Sequence, residues 1–329
     1  MKNILLNCDK LKEFFRGRNY SCVKPYSIVN NNDTVFISAG IQPLLRDYRE
    51  SKLKELEKLF VAQPVVRTQY SNSVEEGSSI AFINLTTSCF NHSLEEHNNM
   101  VKHWYELLYE IGMSKKDISS CSDTYVTKWG DLELYGQRTF HYYKDVEIGD
   151  TTFFTKIVDE KSIPIADSMS DLGFGLERLR WLTNGNSYYD LYSNSTELDT
   201  KIKAYLSVIA LLAVNDIKPS NKNSGYRARM FSKKLVNLLE GRNLSLIEES
   251  YLNECIEYWK EWQEKLSFQD KQIIIDEFIR NGNRYILDQL CEEGSKDLRG
   301  ININVSREGF IRKLIGSGVD IEKVKKLIR

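Results

Sequence analysis

A chain of 329 residues with 41% apolar content is long enough for two domains of ordinary size and can bury a sizeable core. Its net charge of -1 gives no general pull toward nucleic acid, so such contacts are left to local basic patches. The cysteines Cys8, Cys22, Cys89, Cys121, Cys255 and Cys291 form no C-x-x-C pair, which argues against zinc and against a disulfide scaffold. The run Met1 to Leu6 is too short for a signal peptide, and no stretch approaches transmembrane length. The expectation is a soluble cytoplasmic protein with no membrane partner.

In chain order, Leu11, Phe14 and Phe15 stand at helical spacing and predict a first helix ending near Asn19. Asn30 to Asp33 reads as a turn before a strand over residues 34–37. Residues 61–67 and 80–85 read as two strands of an antiparallel hairpin, joined by the polar loop 69–79. A helix over about 94–111 gathers Met100, Trp104, Leu107 and Leu108 on one side. Strand-like runs follow at 139–143, 146–157 and 168–172. Gly173-Phe174-Gly175 predicts a tight turn into a helix with Leu176, Leu179 and Leu182 in register. Hairpin-fed strands with helices outside predict an α+β fold built on an antiparallel sheet.

The polar stretch Ser193 to Thr196 marks a boundary between residues 1–192 and a mostly helical 193–329. Ile202, Leu206, Ile209 and Ala213 mark one amphipathic helix, and Ala228, Phe231, Leu235 and Leu238 a second. Ser245 followed by Glu248 is a capping box that opens a third, through Leu252, Ile256 and Trp259.

Three constellations carry chemistry: Arg67 before the polar loop, Asp171-Leu172-Gly173-Phe174-Gly175-Leu176-Glu177-Arg178, and Pro219-Ser220-Asn221-Lys222-Asn223-Ser224-Gly225-Tyr226. Each has a purely structural reading when taken alone: a surface charge, a strand-to-helix turn, a loop between helices. Together, in this order, they resemble the alanyl-tRNA synthetase family. Asp171 to Arg178 is similar to motif 3 of class II aminoacyl-tRNA synthetases in its alanyl form. Pro219 to Tyr226 resembles the P-S-N-x-N-x-G-Y element, Tyr189-Asp190 a Y-D dipeptide, and Ser38-Ala39-Gly40-Ile41 an N-A-G-M turn. The likeness runs collinearly from about Cys8 to Leu239.

The resemblance implies a class II-like catalytic domain over 1–192 and a helical region resembling the tRNA-recognition part over 193–329. It implies ATP and Mg²⁺ as cofactors, no zinc, and an amino acid as substrate. Arg67 becomes the arginine on the α-phosphate and Arg178 the motif 3 arginine on adenine, both catalytic. A planar guanidinium that stays charged suits phosphate. Gly173 and Gly175 join the ATP site, and Phe90 is the candidate for the other adenine face, with Cys89 aligning almost as well. Asp171 holds the substrate ammonium, Trp129 borders the amino-acid pocket, and Glu147 is a candidate Mg²⁺ ligand. Asn223 matches an asparagine that meets the tRNA acceptor stem.

The departures from the family are informative. Asp150 stands where the family has asparagine and Thr152 where it has valine, which predicts a more polar, more negative pocket than alanine needs. Glu75 and Glu76 replace a basic pattern in the motif 2 loop and would repel a phosphate backbone. The editing domain and its histidine–cysteine zinc site are expected to be missing. The expected function is therefore activation of alanine or a more polar relative to an aminoacyl-adenylate, followed by transfer to an acceptor other than tRNA. Charging of tRNA and a catalytically inactive binding protein are the alternatives.

Overall fold

The computed structural model describes residues 6–29, 35–69, 79–184, 198–262, 271–293, 298 and 300–328. Contacts divide the chain into two units, one built around a sheet and one helical.

The sheet unit contains the strands β1 (Ser21–Cys22), β2 (Leu59–Val66), β3 (Ala81–Phe90), β4 (Ile118–Trp129), β5 (Leu132–Tyr143), β6 (Val146–Val158), β7 (Pro164–Ala166) and β8 (Met169–Gly175). Their spatial order is β1-β2-β3-β8-β6-β5-β4, with β7 against β6. Only the β1–β2 pair is parallel among these neighbours. An antiparallel sheet flanked by helices is the α+β fold that the hairpin pattern predicts.

Side chains alternate across a strand, so register assigns each residue to a face. On the back face, α1 (Cys8–Arg16) and α3 (Leu94–Glu110) pack their apolar sides. Phe15 stacks on Phe60 with centroids 4.2 Å apart, and Trp104 stacks on Phe174 at 4.2 Å. The Trp104 indole N–H donates to Thr87 Oγ1 at 2.8 Å, satisfying both buried polar groups. On the front face, α2 (Ile41–Arg49) covers one end of the sheet. Its Ile41, Leu44 and Leu45 form one apolar cluster with Leu59, Val61, Phe90, Phe154 and Met169. The rest of the front face carries the candidate site.

Two expectations are corrected here, and one strand has no counterpart in the expectations. The strand over 34–37 is absent among the described residues, where Phe36 makes only an isolated bridge to Val29. Gly173 to Gly175 continue β8, and the helix α4 (Leu176–Asn184) starts immediately after them. The two glycines serve close approach in a central strand rather than a turn. The edge strand β4 escapes a reading by apolar alternation because Ser119 to Thr124 are all exposed.

The link between β3 and α4 is a buried carboxylate. Glu177 is fully buried, and both its oxygens accept from the Ile83 backbone N–H, at 3.0 and 2.9 Å. Glu177→Ala orphans that donor inside the sheet and is expected to destabilise the protein by about 1–3 kcal/mol, read as a lowered urea midpoint. An unchanged midpoint would show that the contact contributes nothing net.

The helical unit comprises α5 (Thr200–Val214), α6 (Asn223–Leu238), α7 (Leu246–Glu261), α8 (Lys271–Glu292), α9 (Arg307–Gly316) and α10 (Ile321–Ile328). The amphipathic reading of α5 is corrected, since Lys203 to Val214 are all buried and the helix is wrapped on every side. Asp199 caps it by accepting from the Lys201 and Ile202 backbone N–H groups. The capping box at Ser245 is present: Glu248 N–H donates to Ser245 Oγ at 3.3 Å and Ser245 N–H donates to Glu248 Oε2 at 2.6 Å. No helix among the described residues is long and apolar enough to cross a membrane.

Candidate active site

The site grows from the register of β3, β8 and β6. Asp171 lies opposite Ser88 on β3 and opposite Thr152 on β6. One step along the same face, Gly173 lies opposite Thr86 and Asp150. Gly175 then faces Asn84. Four groups named from the sequence, Asp150, Thr152, Asp171 and Gly173, are thus immediate neighbours on the front of the sheet.

Arg67 joins them from the end of β2. Its Nε donates to the Ser38 carbonyl at 2.9 Å, and its guanidinium lies 4.9 Å from the centroid of the Phe82 ring. Its charge acts on both Asp150 and Asp171. The turn around Ser38 is itself seated on the front face: Gly40 N–H donates to Asn84 Oδ1 at 2.8 Å. A Cβ at Gly40 would collide with Thr86 Oγ1, so this approach requires glycine.

Phe82 also borders the far side of the row. A Cβ built on Gly175 would stand 3.8 Å from the Phe82 ring and 3.7 Å from the Arg178 Cβ. Arg178, in the first turn of α4, donates from Nη1 to the Glu147 carbonyl at 2.8 Å. Arg67, Phe82, Gly175, Arg178 and Glu147 therefore continue the row that begins at the two aspartates.

The electrostatics are unusual for carboxylates at neutral pH. Burial pushes Asp150 up to about 6, Glu147 adds to the rise, and Arg67 and Arg138 oppose it. Burial also pushes Asp171 well above the usual range, Asp150 pushes it further, and Arg67 opposes. Arg138 is engaged elsewhere, donating to Asp123 from Nε at 3.3 Å and from Nη2 at 2.9 Å. Folding makes Asp150 hold its proton more tightly than the unfolded chain does. Its penalty on the fold is therefore absent below pH 4 and grows as pH rises to about 6. Asp150→Asn is expected to raise Tm at pH 7, by about 3 kcal/mol of stability at most, and to leave it unchanged near pH 3.5. Equal Tm for both proteins at both pH values would contradict the crowding of these acids.

One site assignment is corrected. Phe90 is fully buried and stacks on Tyr48 at 4.1 Å with the rings 6° apart, so neither face is open to a base. Cys89 is buried too and belongs to the opposite face by alternation. Period-two counting back from Phe90 leads to Phe82, which shares the front face with Arg67 and Gly175. Trp129 ends β4, half-buried, and packs edge-on against Phe154 at 5.7 Å beside the apolar cluster. Ser88, Arg138, Asn84 and Thr86 were missed, and cross-strand register is the signal that finds them.

Asn223 belongs to the helical unit. It is exposed at the start of α6 with φ 48°, after a tight loop in which Ser220 N–H donates to the Gly225 carbonyl at 2.9 Å. Tyr189-Asp190-Leu191, Glu75 and Glu76 lie outside the described residues. Among the described residues, no group of three His, Cys, Asp or Glu side chains is arranged to hold a metal ion.

Comparison with known proteins adds one likeness in sequence. The chain aligns with the alanine–tRNA ligase of Thermofilum pendens at 23% identity over 396 aligned positions, covering 95% of this chain and 43% of that protein. This chain is similar to an alanine–tRNA ligase along nearly its whole length. It spans less than half of that relative. No family model matches it. Among solved structures, a pyrrolysyl-tRNA synthetase from Desulfitobacterium hafniense shares 18% identity, with TM-score 0.43, over 54% of this chain and 66% of that one. An asparaginyl-tRNA synthetase from Entamoeba histolytica shares 12% identity, with TM-score 0.34, over 54% of this chain and 61% of that one.

Proposed function

We propose that this protein uses ATP to activate a small amino acid as an aminoacyl-adenylate and then transfers the aminoacyl group to an acceptor. The observation that carries the reading is the meeting of Arg67 with Asp150 and Asp171 on one face, where a single guanidinium opposes the rise of both acids. The similarity to an alanine–tRNA ligase supports the same chemistry.

In this chemistry a substrate carboxylate oxygen attacks the α-phosphorus of ATP, and the bond to the bridging oxygen breaks to release pyrophosphate. Two anions must meet, so the protein has to supply fixed positive charge where the negative charge builds. Arg67 supplies it. Its Nε is anchored to Ser38, and Phe82 lies beneath the guanidinium, so the fork is oriented before substrate arrives. Phe82 and the Cβ of Arg178 flank Gly175, which sets an aromatic ring and the root of an arginine at the place assigned to the adenine. Asp171 takes the substrate ammonium, and that cation lowers the acid back into its ionised form.

Mg²⁺ would screen the triphosphate. Glu147 is an exposed single carboxylate close enough to raise Asp150, which fits an ion arriving with ATP rather than one bound beforehand.

The acceptor proposed is not tRNA, because the overall charge is -1 and Glu75 and Glu76 follow Arg67 closely in the sequence. The alternative, tRNA charging, is favoured by the similarity extending through the helical unit. ATP–pyrophosphate exchange screened over amino acids tests the activation. Exchange with at least one amino acid is expected, and its absence with all of them would instead favour an inactive binding protein. Acylation of total tRNA separates the two acceptors, with no tRNA product expected.

A further inference from the structure

We propose that the amino acid activated here is a short diamino acid, its α-ammonium on Asp171 and its side-chain ammonium on Asp150. The inference rests on the adenylation reading above and names the substrate class for the same pocket.

The geometry provides two anionic posts on neighbouring strands, with the Asn84 amide over Gly173 beside them. Asp171 is registered with Thr152 and Asp150 with Gly173, so the two acids are diagonal neighbours on adjacent strands. Such positions are about 7–8 Å apart at Cα. Carboxylates rooted at that spacing suit two nitrogens separated by about two or three carbons. Gly173 lies beside Asp150 and projects no side chain into that space.

Charge then decides what the second post takes. The cations acting on Asp150 are Arg67 and Arg138. Arg138 is held by Asp123 and lies over the Tyr125 and Phe140 rings, 4.1 and 4.2 Å from their centroids. Arg67 turns its charge to the α-phosphate once ATP binds. A substrate with one ammonium would satisfy Asp171 and leave Asp150 beside Glu147 with no ammonium of its own. A hydroxyl would offer a hydrogen bond and no charge. A second ammonium supplies both, and Thr152 Oγ1, 3.5 Å from Asp150 Oδ2, offers it another acceptor.

An independent observation points to an ammonium in this pocket. Ser88 is fully buried, and its Oγ has no hydrogen-bond partner in the protein. It is the cross-strand neighbour of Asp171 on the front face. A buried hydroxyl without a partner is unfavourable unless a ligand completes it. An ammonium on Asp171 has donors to spare and is the group that would complete Ser88.

The test is ATP–pyrophosphate exchange on the full chain with 2,3-diaminopropionate, 2,4-diaminobutyrate, alanine and serine, in wild type, Asp150→Asn and Thr152→Val. Expected is kcat/KM at least tenfold higher for one of the diamino acids than for alanine or serine in wild type. That preference should vanish in Asp150→Asn. Thr152→Val, a smaller change at the same post, should shrink the preference. Alanine or serine matching the diamino acids in wild type would overturn this inference and leave the adenylation reading standing. A preference that survives Asp150→Asn would do the same. No exchange with any of the four or with a full amino-acid set would overturn both.

Discussion

Arg67→Ala is expected to reduce pyrophosphate exchange by about 10²–10³-fold in kcat, because it removes the fixed charge aimed at the α-phosphate. The effect should be large because the residue has two tasks. It faces the developing charge, and in the free protein it opposes the rise of both Asp150 and Asp171. Arg67→Lys keeps a charge but loses the planar fork that rests on Phe82 and reaches Ser38, so it should recover only part of the activity. The alanine variant should also melt lower at pH 7, since the two acids lose their shared cation, and the deficit should shrink in an Asp150→Asn background. Wild-type exchange in Arg67→Ala would remove the residue from the chemistry.

Asp171→Asn is expected to raise KM for the amino acid about 10–100-fold while leaving KM for ATP within a few-fold, the signature of a lost contact to one substrate. Its effect on stability should run the other way. Asp171 sits among Ser88, Thr152 and the nearby Asp150, and burial pushes its carboxyl well above the usual range. The neutral amide removes that penalty, so Tm at pH 7 should rise. A group that raises stability when neutralised and abolishes substrate recognition at once is one kept for function rather than for the fold. A variant with lower Tm and unaltered KM would mark Asp171 as structural.

The sequence carried the sheet unit's helices and inner strands because their apolar periodicity is strong. Leu11, Phe14 and Phe15, or Met100, Trp104 and Leu107, mark faces that are buried as expected. It could not carry β4, whose polar residues mark an edge strand with one paired side, or the strand character of Gly173 to Gly175, where glycine suggests a turn until the neighbours are known. In the site, the charged residues were legible because motifs name them. Choosing between Phe90 and Phe82 from sequence fails because they share a face and differ in what covers them. Tyr48 stacks on the first, whereas the Arg67 guanidinium lies over the second. Ser88 and Arg138 have no motif, and only the pairing of β3 with β8 and of β5 with β6 brings them to the acids.

The most direct test of the central claim is calorimetric titration with an alanyl sulfamoyl-adenosine. This stable mimic joins an α-ammonium to adenosine through an acylsulfamate in place of the acyl phosphate. If one face of the sheet holds both ends, the compound should bind at least about 100-fold more tightly than ATP or alanine alone, as expected for a ligand resembling the activated intermediate. Asp171→Asn should weaken it strongly. Affinity no better than that of either half, or equal affinity in wild type and Asp171→Asn, would show that amine and nucleotide are not held together there.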